Sequence, residues 1–425
     1  MNKIRLEKTL EQFNQIGAAS GKGITRLAYT PEHAEANRYF IELCKQEGMN
    51  VRIDACGNVI ARRQGAEPEL PAVACGSHLD TVQQGGRYDG TVGVVAALEV
   101  VRSLNDRQVV TRHPLEIISF ACEESARFGV STIGSKAMTG KWVKAEAEGW
   151  KDKNGISFRE ALETCSLSME KVESARRQPE ELKAFFELHI EQGPLLENKQ
   201  KDIGIAIAIS APTRLEVTVQ GKASHSGTTP MMLRKDALLG AAEIIAGVER
   251  AALSEADRGT VATVGVCEVS PGAMNVVPES VQLLIDIRGT VIESKRAVVQ
   301  QLSALFGSIR DRRGLEIASR VISEEMPVLL AEETAASLAD HCRRLELSYL
   351  YMNSGAGHDA MNMADFCPTG LIFIPSTNGL SHHPEEYTSI EHIAKGTQLL
   401  EEALIEWAVP CGSEQQCPQR WERIS

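Results

Sequence analysis

The feature that most constrains the fold is the alternation of short β-rich segments with helical segments in the N-terminal half of the chain. The segments "VRIDACGNVIARR", "PAVACGSHLD" and "LEIISFACEE" are β-rich, and the apolar "GTVGVVAALEVVRSL" separates the last two. Such alternation predicts an α/β fold in which helices cover a mixed, largely parallel sheet. Ligands of such sheets bind at the carboxyl ends of the strands. We therefore expect the functional site of this domain where these strands end.

A second pattern occupies the middle of the chain. From "RLEVTVQGKASHS" onward, the segments follow the order strand, helix, strand, strand, helix, strand. This order predicts a ferredoxin-like α+β sandwich. The first pattern returns after about residue 330, and 425 residues exceed what one hydrophobic core usually supports. We predict a catalytic α/β domain, residues 1–211 plus 328–425, that is interrupted by an inserted domain, residues 212–327.

Charge and hydropathy exclude several classes of partner. The chain has 45 basic and 57 acidic residues, a net charge of -12 and no Lys/Arg-rich run. We therefore expect a small-molecule substrate and no nucleic-acid partner. The first residues, "MNKIRLEKTLEQFNQIG", place an apolar helical stripe among charges, which is not typical of a signal peptide. No apolar run is long enough to span a bilayer, so we expect no membrane partner.

The ten cysteines are scattered, and none forms a C-x-x-C pair. This distribution is typical of reduced core cysteines and predicts a cytoplasmic protein. Cys411 and Cys417 are the pair most prone to oxidation in air, but we predict no structural bridge between them. Cys122 is expected to be a buried core residue.

Histidine and acidic residues cluster at the predicted strand ends. The segment "GSHLDTVQQGGRYDG" places His78, Asp80 and Asp89 at the end of a buried strand and in the loop that follows. The segment "SFACEESARFG" places Glu123 and Glu124 directly after another buried strand. Three more segments follow the same rule: "FFELHIEQGPLLE" with His189, Glu191 and Gln192, "SGAGHDAMNM" with His358 and Asp359, and "NGLSHHPEEYT" with His382 and His383.

These residue types suit a hydrolytic dinuclear metal centre. Such a centre needs imidazole and carboxylate ligands, one carboxylate that both ions share, and an open position for water. The candidate ligands are His78, Asp89, Glu124, His189 and His382, with Asp89 in the bridging position. Asp80 is then expected to hold the imidazole of His78. Glu123 is left as the general base.

Each segment alone also has a structural interpretation. His189 could be a core histidine, "HLD" could form an Asx-type turn, and the pair Glu123 and Glu124 could belong to a solvated loop or a helix start. All of these residues, however, fall at the ends of strands that are predicted to share one sheet. This coincidence favours the metal centre.

Five segments together, "GSHLDTVQQGGRYDG", "CEESARFG", "ELHIEQGP", "GKASHSGTTPM" and "GLSHHPEEYT", resemble the amidohydrolase branch of the aminoacylase-like dinuclear metallopeptidase superfamily. This branch includes N-carbamoyl-L-amino-acid hydrolases, allantoate amidohydrolases and β-ureidopropionases. The resemblance covers nearly the whole chain. The segment "ELHIEQGP" separates this branch most clearly from the aminoacylases and peptidases.

The resemblance implies two divalent metal ions per subunit. One ion would be held by His78, Asp89 and His189, and the other by Asp89, Glu124 and His382, with Glu123 as the base. His383 fills the variable position of the family pattern Ser-His-x-Pro and is expected at most at the rim of the site. Nitrogen and oxygen ligands of this kind accept zinc, manganese, cobalt or nickel, so the metal is not specified.

The resemblance also implies that the inserted domain is a lid that forms a homodimer. His225 in "ASHSGTTP" would reach the active site of a neighbouring subunit and stabilise the oxyanion, although this segment also has a plain turn interpretation. Arg288 and Asn275 would bind the substrate carboxylate, and the alternative for Arg288 is an ion pair with Asp286. Further substrate-contacting positions match Gln192, Gly355 and His358.

The implied reaction is hydrolysis of the ureido C–N bond of an N-carbamoyl-L-amino acid to an amino acid, carbon dioxide and ammonia. Allantoate amidohydrolase is the nearest alternative because allantoate is also a ureido-substituted carboxylate, and β-ureidopropionase is a third. An aminoacylase or peptidase would share the metal ligands. A non-catalytic binding protein is disfavoured because every inferred ligand and Glu123 are present.

Overall fold

The computed structural model describes residues 1–19 and 21–409, so Cys411 and Cys417 lie outside the described residues. The chain divides into two compact units. The large unit consists of residues 1–207, 330–352 and the described residues from 358 onward, and the small unit consists of Ala208–Leu329 and Asn353–Gly357. The roles of residues 212–327 as lid and dimerisation domain stay predictions.

Within the described residues, the chain forms twelve α-helices and fifteen strands. The helices are α1 Lys3–Gln15, α2 Pro31–Gln46, α3 Thr91–Asp106, α4 Ile133–Thr139, α5 Lys144–Ala147, α6 Phe158–Thr164, α7 Leu195–Lys199, α8 Ala237–Leu253, α9 Ile292–Arg313, α10 Glu332–Arg344, α11 Ala360–Met363 and α12 Ile390–Ala408. The strands are β1 Asn50–Ile53, β2 Val59–Arg63, β3 Ala72–His78, β4 Leu115–Phe120, β5 Leu182–Ile190, β6 Ile203–Ile209, β7 Ala211–Gln220, β8 Ser224–His225, β9 Val261–Ser270, β10 Val276–Val277, β11 Ser280–Gly289, β12 Glu316–Glu324, β13 Val328–Leu329, β14 Tyr349–Ser354 and β15 Thr369–Ile374.

The largest sheet is mixed, and its four central strands are parallel. Its order is β1-β2-β4-β3-β5-β15-β6-β13, with β14 paired to β6. The pairs β3–β4, β3–β5 and β5–β15 are parallel, whereas β1–β2, β2–β4, β15–β6 and β6–β13 are antiparallel. Strands β3, β4 and β15 are buried along their whole length, as central parallel strands usually are. The predicted α/β class with a mixed sheet is confirmed, and its antiparallel pairs lie on the two sides of the parallel centre.

The large unit contains two apolar clusters. The larger cluster joins the sheet to helices α1, α2, α3, α10 and α12, and the second contains residues of α4, α5 and α6. Helix α3 is buried from Thr91 to Leu104, because apolar residues cover nearly its whole circumference. The four parallel strands end on the same side of the sheet, and polar side chains gather at these carboxyl ends.

The small unit has the predicted ferredoxin-like order β7-α8-β9-β11-α9-β12, with short strands β8 and β10 inserted. Its four-stranded sheet has the order β12-β7-β11-β9 and is antiparallel throughout. Buried residues alternate along β7 and β11, which is typical of strands with one face on a core. That face packs with α8 and α9 in an apolar cluster of its own.

Side-chain caps explain where several helices begin. Asn2, Thr30, Asp236 and Ser389 each precede a helix and accept a hydrogen bond from a backbone N–H of its first turn. Such caps satisfy N–H groups that have no partner inside the helix.

Throughout residues 1–19 and 21–409, no helix is both long and apolar enough to cross a membrane. The eight cysteines of this part of the chain are all free thiols, and Cys122 is buried as predicted.

Candidate metal centre

Six of the predicted residues gather at the carboxyl ends of the parallel strands. His78 ends β3, Glu123 and Glu124 follow β4, His189 lies near the end of β5, His382 lies in the loop after β15, and Asp89 lies two residues before α3. In the sheet register, His78 lies opposite Phe120, and His189 lies opposite Phe373. Because these strands are parallel neighbours, residues far apart in the sequence meet at one edge.

The side chains form two groups that could each hold a metal ion. His78, Asp89 and His189 form the first group, and Asp89, Glu124 and His382 form the second. In each group, one possible ligand atom per residue lies within 4.8 Å of the others. Asp89 belongs to both groups, in the position of a bridging carboxylate.

The first group has its imidazoles oriented for metal binding. Nδ1 of His78 lies 2.9 Å from the Asp80 carbonyl oxygen, and Nδ1 of His189 lies 2.8 Å from the Ile190 carbonyl oxygen. A hydrogen bond to a carbonyl places the proton on Nδ1 and leaves a lone pair on Nε2. These Nε2 atoms lie 3.5 Å and 3.1 Å from Oδ1 of Asp89. Nε2 of His189 also accepts the backbone N–H of Gly90 at 3.2 Å. A cation or a proton between these nitrogens and the carboxylate oxygen would remove the repulsion between their lone pairs.

The second group lies on the other oxygen of Asp89. Nε2 of His382 is 3.2 Å from Oδ2 of Asp89 and 3.2 Å from Oε1 of Glu124. Oε1 of Glu124 is buried and faces the His382 imidazole, and a buried carboxylate oxygen is costly unless a positive charge compensates it. The His382 side chain is 48% exposed, so this group is the accessible side of the cluster.

Electrostatics of the cluster agree with a cation site. Burial opposes charge on both Asp89 and His382, yet their partners outweigh it. His189, His382 and His78 hold the pKa of Asp89 well below its ordinary value, and the carboxylates of Asp89 and Glu124 raise the pKa of His382 to about 11. Carboxylates and imidazole nitrogens gathered in this way form the donor set that zinc and similar ions prefer. The residues therefore fit the implied metal centre.

Asp80 does not hold His78 in the predicted way. Its carboxylate oxygen lies 3.8 Å from Nδ1 of His78, and the imidazole is held by the main-chain carbonyl of Asp80 instead. The Asp80 carboxylate accepts the backbone N–H groups of Glu123 at 3.2 Å and Glu124 at 3.0 Å. It therefore orients the segment that carries both glutamates, a contact that depends on the pairing of β3 with β4.

Glu123 belongs to neither metal group but lies beside the first. Its Oε2 is 3.6 Å from Nε2 of His78, and the residue is 7% exposed. Burial raises the pKa of Glu123 well above its ordinary value, and the carboxylate of Glu124 raises it further, while His78 opposes the shift. A carboxylate with a raised pKa beside a metal site has the properties of a general base.

The other substrate-binding predictions in the large unit concern Gln192 and His358. Gln192 donates from Nε2 to Oδ2 of Asp89 at 2.7 Å, while its Oε1 is buried without a partner. His358 is 2% exposed, and its ring packs against that of His189 with centroids 4.5 Å apart. Glu191 accepts the backbone N–H groups of Leu195 and Leu196 and so begins helix α7.

The remaining predicted residues lie in the small unit. His225 is exposed and pairs with Val276, and the Asn275 carbonyl accepts the N–H of Ser226 at 3.0 Å. Arg288 donates from Nε to Asp286 at 3.0 Å, which is the ion pair considered as its alternative, and from Nη1 to the carbonyl of Gly355 at 3.2 Å. Their contacts with substrate stay predictions.

Sequence reasoning missed Glu187 and Glu386, two buried carboxylates around the centre, and gave no role to a third, Asp359. Glu187 lies two residues before His189 on the same strand face, and it accepts the Ser77 hydroxyl and the Ala360 N–H. Asp359 accepts the Ser135 hydroxyl. Glu386 contacts the segment of Asp89. The two-residue period of β5 could have revealed Glu187, but no local pattern distinguishes buried Glu386 from exposed Glu385.

The chain is similar to known proteins in sequence and in structure. Residues 74–406 match the family model described as peptidase family M20/M25/M40. A crystal structure of an amidase of the hydantoinase/carbamoylase family from Burkholderia multivorans is similar, with a TM-score of 0.89 and 33% identity over 96% of this chain and 98% of that chain.

Three relatives carry names that specify substrates. An N-carbamoyl-L-amino-acid amidohydrolase of Paenarthrobacter aurescens is 41% identical over 93% of this chain and 96% of its own length. A ureidoglycolate hydrolase of Arabidopsis thaliana is 37% identical over 93% of this chain and 84% of its own. An allantoate amidohydrolase of Escherichia coli (strain K12) is 36% identical over 93% and 95%. The predicted resemblance is confirmed at the level of the branch.

Proposed function

The chain belongs to peptidase family M20/M25/M40 and is a hydrolase of amide C–N bonds, and from this premise we propose that it cleaves the ureido bond of N-carbamoyl-L-amino acids. The products are an amino acid, carbon dioxide and ammonia. The observation that carries this proposal is Asp89, whose two oxygens face two separate groups of possible metal ligands. The 41% identity to a relative named for this substrate class supports the choice of substrate.

Two divalent ions would occupy the centre in this proposal. His78, Asp89 and His189 would hold one ion, and Asp89, Glu124 and His382 would hold the other. Bound divalent ions would polarise the scissile carbonyl and lower the pKa of the attacking water. Zinc and manganese are the first metals to test, since both accept imidazole and carboxylate ligands.

The protein's own residues then perform the proton transfers and hold the substrate. Glu123 accepts the proton of the attacking water and delivers it to the leaving nitrogen. The unpartnered Oε1 of Gln192 accepts an N–H of the ureido group, while its Nε2 stays on Asp89. Arg288 and Asn275 bind the substrate carboxylate, for which a guanidinium supplies two parallel hydrogen bonds. His225 stabilises the developing oxyanion.

Allantoate is the second candidate substrate. It carries a ureido group and a carboxylate, and the Escherichia coli relative with that name covers 93% of this chain, the same share as the carbamoylase relative. The ligand groups act on the carbonyl that both substrates share. Discrimination between allantoate and an N-carbamoyl-L-amino acid therefore depends on the groups that each carries beyond the shared ureido carbonyl.

The deciding experiment measures ammonia release from a panel of substrates. The panel contains N-carbamoyl-L-methionine, N-carbamoyl-β-alanine, allantoate, ureidoglycolate and N-acetyl-L-methionine. Protein treated with EDTA is compared with protein reloaded with manganese or zinc, and metal content is determined for each sample. We expect ammonia only from the reloaded protein, with N-carbamoyl-L-methionine as the best substrate and two ions per chain.

Each other outcome would change the proposal in a defined way. A preference for allantoate, ureidoglycolate or N-carbamoyl-β-alanine would move the substrate to that relative of the same branch. Deacetylation without ammonia release would place the chain with the aminoacylases. Full activity after complete removal of metal would refute the metal centre.

The proposal extends to assembly and location. The chain acts as a homodimer through the small unit, where Met232 is 93% exposed and Met274 fully exposed. Exposed apolar side chains of this kind favour burial against a partner.

The eight free thiols of the described part of the chain support a reducing compartment such as the cytoplasm.

A further inference from the structure

Glu386 is a buried glutamate that links two loops of the centre. It is 2% exposed and lies four residues after His382, in the loop between β15 and α12. Its Oε1 accepts the backbone N–H groups of Tyr88 at 2.9 Å and Asp89 at 3.1 Å. Its Oε2 accepts the hydroxyl of Ser381 at 3.0 Å. One carboxylate therefore holds the segment of Asp89 together with the residue that precedes His382.

Ser381 connects this carboxylate directly to the bridging ligand. Its hydroxyl lies 2.8 Å from Oδ2 of Asp89 as well as 3.0 Å from Oε2 of Glu386. The single hydroxyl proton of Ser381 is shared between the two carboxylates, and its shorter contact is with Asp89. Asp89 is thus held at two points, through its backbone N–H by Glu386 and through its carboxylate by Ser381. The Oδ2 atom fixed in this way is the one that faces His382.

The loop that contains Gly86 packs directly against the Glu386 side chain. A Cβ atom on Gly86 would lie 2.1 Å from both Cδ and Oε1 of Glu386, far inside van der Waals contact. The loop and the glutamate therefore pack without any space for another side chain. Neighbouring Glu385, in contrast, is exposed.

We propose that Glu386 is a positioning residue for the metal centre, which orients Asp89 so that each of its oxygens faces one ligand group. It acts through the backbone of Tyr88 and Asp89 and through Ser381. It belongs to neither ligand group itself. This inference rests on the proposed metal centre, because its effect is exerted on the bridging ligand.

The test measures zinc binding directly, without substrate. Apo protein is titrated with zinc against a chromogenic chelator, and the thermal midpoint Tm is recorded with and without zinc. The variants are Glu386→Ala, Glu386→Gln and Ser381→Ala, and Glu385→Ala and Glu385→Gln are the matched controls from the adjacent exposed position. Loss of a residue that orients a ligand typically lowers metal affinity by about 10- to 100-fold.

We expect that range of loss for Glu386→Ala and a smaller loss for Ser381→Ala. Glu386→Gln should stay within about threefold of wild type, because its amide oxygen can accept both N–H groups while its NH₂ donates to Ser381. The Glu385 variants should match wild type. The zinc-induced rise in Tm should shrink in Glu386→Ala, since that rise depends on affinity.

Contrary results separate this inference from the proposed function. A wild-type protein that binds no zinc would refute the metal centre itself. Zinc affinity in Glu386→Ala equal to that of wild type, even with a lower Tm, would show a purely structural role. Equal losses of zinc affinity in Glu386→Gln and Glu386→Ala would also overturn the positioning role, because the glutamine amide retains the shape of the side chain and the oxygen that accepts the two N–H groups. If Glu386→Ala does not fold, wild-type affinity in Ser381→Ala overturns the inference, and a loss supports it.

Discussion

Glu123 and Arg288 are expected to contribute to different steps of the proposed reaction. Glu123 is buried beside His78 in the large unit, whereas Arg288 lies in the small unit with its guanidinium on Asp286 and Gly355. In the proposed reaction, Glu123 transfers a proton only during the chemical step, and Arg288 contacts the substrate carboxylate before and during it. Their substitutions should therefore affect different kinetic constants.

We expect Glu123→Gln to lower kcat by about 10²- to 10⁴-fold, the usual contribution of a general base. Metal content should be unchanged, because Glu123 lies outside both ligand groups. Glu124→Gln is the matched control and should lose metal.

Arg288→Ala should raise KM at least about tenfold, because it removes hydrogen bonds to a charged group. Steady-state kinetics with metal analysis check both, and mild effects of equal size would contradict the assignment.

His33 is a buried histidine that should make the fold sensitive to acid. It lies in the first turn of α2, and its Nδ1 accepts the backbone N–H of Tyr29 at 3.1 Å. Burial lowers the pKa of His33 from 6.5 to about 4, while Asp80 opposes the shift and Arg26 adds to it. The unfolded chain therefore binds a proton at a pH at which the folded chain does not. Stability is retained above 6.5 and is lost as the pH falls towards 4.

The variant His33→Asn should reduce this acid sensitivity. Its amide oxygen can still accept the Tyr29 N–H, but it cannot take up a proton in the unfolded state. Between pH 6.5 and 4, the free energy of unfolding should fall less steeply than in wild type, by up to about 1.4 kcal/mol per pH unit. Urea unfolding across this range in EDTA checks the difference. Identical slopes would show that His33 does not contribute.

At the scale of elements, helix α3 is packed against the strands that carry the ligands. A Cβ atom on Gly93 would lie 2.3 Å from the Leu188 carbonyl oxygen and 2.8 Å from Cβ of Ser77. At Gly90, which precedes the helix with φ 64°, a Cβ atom would lie 2.4 Å from the ring of His78. Because no side chain intervenes, the start of α3 approaches β3 and β5 closely, and Asp89 is held beside both histidines.

Two glycines inside helices should respond to alanine in opposite directions. Gly93→Ala should destabilise the protein by about 1–3 kcal/mol, because the methyl group collides with backbone that cannot move freely. Gly307→Ala in α9 should stabilise by about 0.5–1 kcal/mol through helix propensity, as its Cβ atom would meet only the end of Arg310 at 3.8 Å. Calorimetry of both variants, with each unfolding transition analysed separately, measures these shifts. Stabilisation by Gly93→Ala would disprove the close packing.

At the scale of the whole molecule, the proposed homodimer predicts active-site complementation. His225 is proposed to act in the neighbouring subunit, whereas Glu123 acts in its own. Glu123→Gln and His225→Ala should each be inactive as pure proteins. A mixed dimer then contains one site with both residues intact, so random mixing should restore about a quarter of wild-type activity.

This experiment requires co-expressed or reassociated subunits and a direct measurement of mass in solution. Light scattering coupled to size-exclusion chromatography should give the mass of two chains. Restored activity in the mixture supports the trans position of His225. A dimer without restored activity would place His225 in its own subunit's site, and a monomeric protein with full activity would refute the assembly.

Much of the fold followed from local patterns. Strands β3 and β4, helices α3, α8 and α9 and the ferredoxin-like order are visible as runs and periodicities within single segments. Asp80 shows the limit of such reasoning. Its proximity to His78 in the sequence suggested a direct contact, but its carboxylate reaches the backbone of Glu123 and Glu124, over 40 residues away. That contact exists because β3 and β4 are parallel neighbours, a pairing that neither segment encodes alone.

The sequence by itself determined the element types, the α/β and ferredoxin-like classes and the residue types of the metal centre, because these depend on side-chain identity and on spacing within short segments. The tertiary structure alone decided which side chains share a partner. It brought the carboxylate of Glu386, and not that of Glu385, to the backbone N–H of Asp89, nearly 300 residues away. It also assigned the two oxygens of Asp89 to different histidines. Such contacts depend on strand order and loop paths, which arise only when the whole sheet has formed and brought distant segments to a common edge.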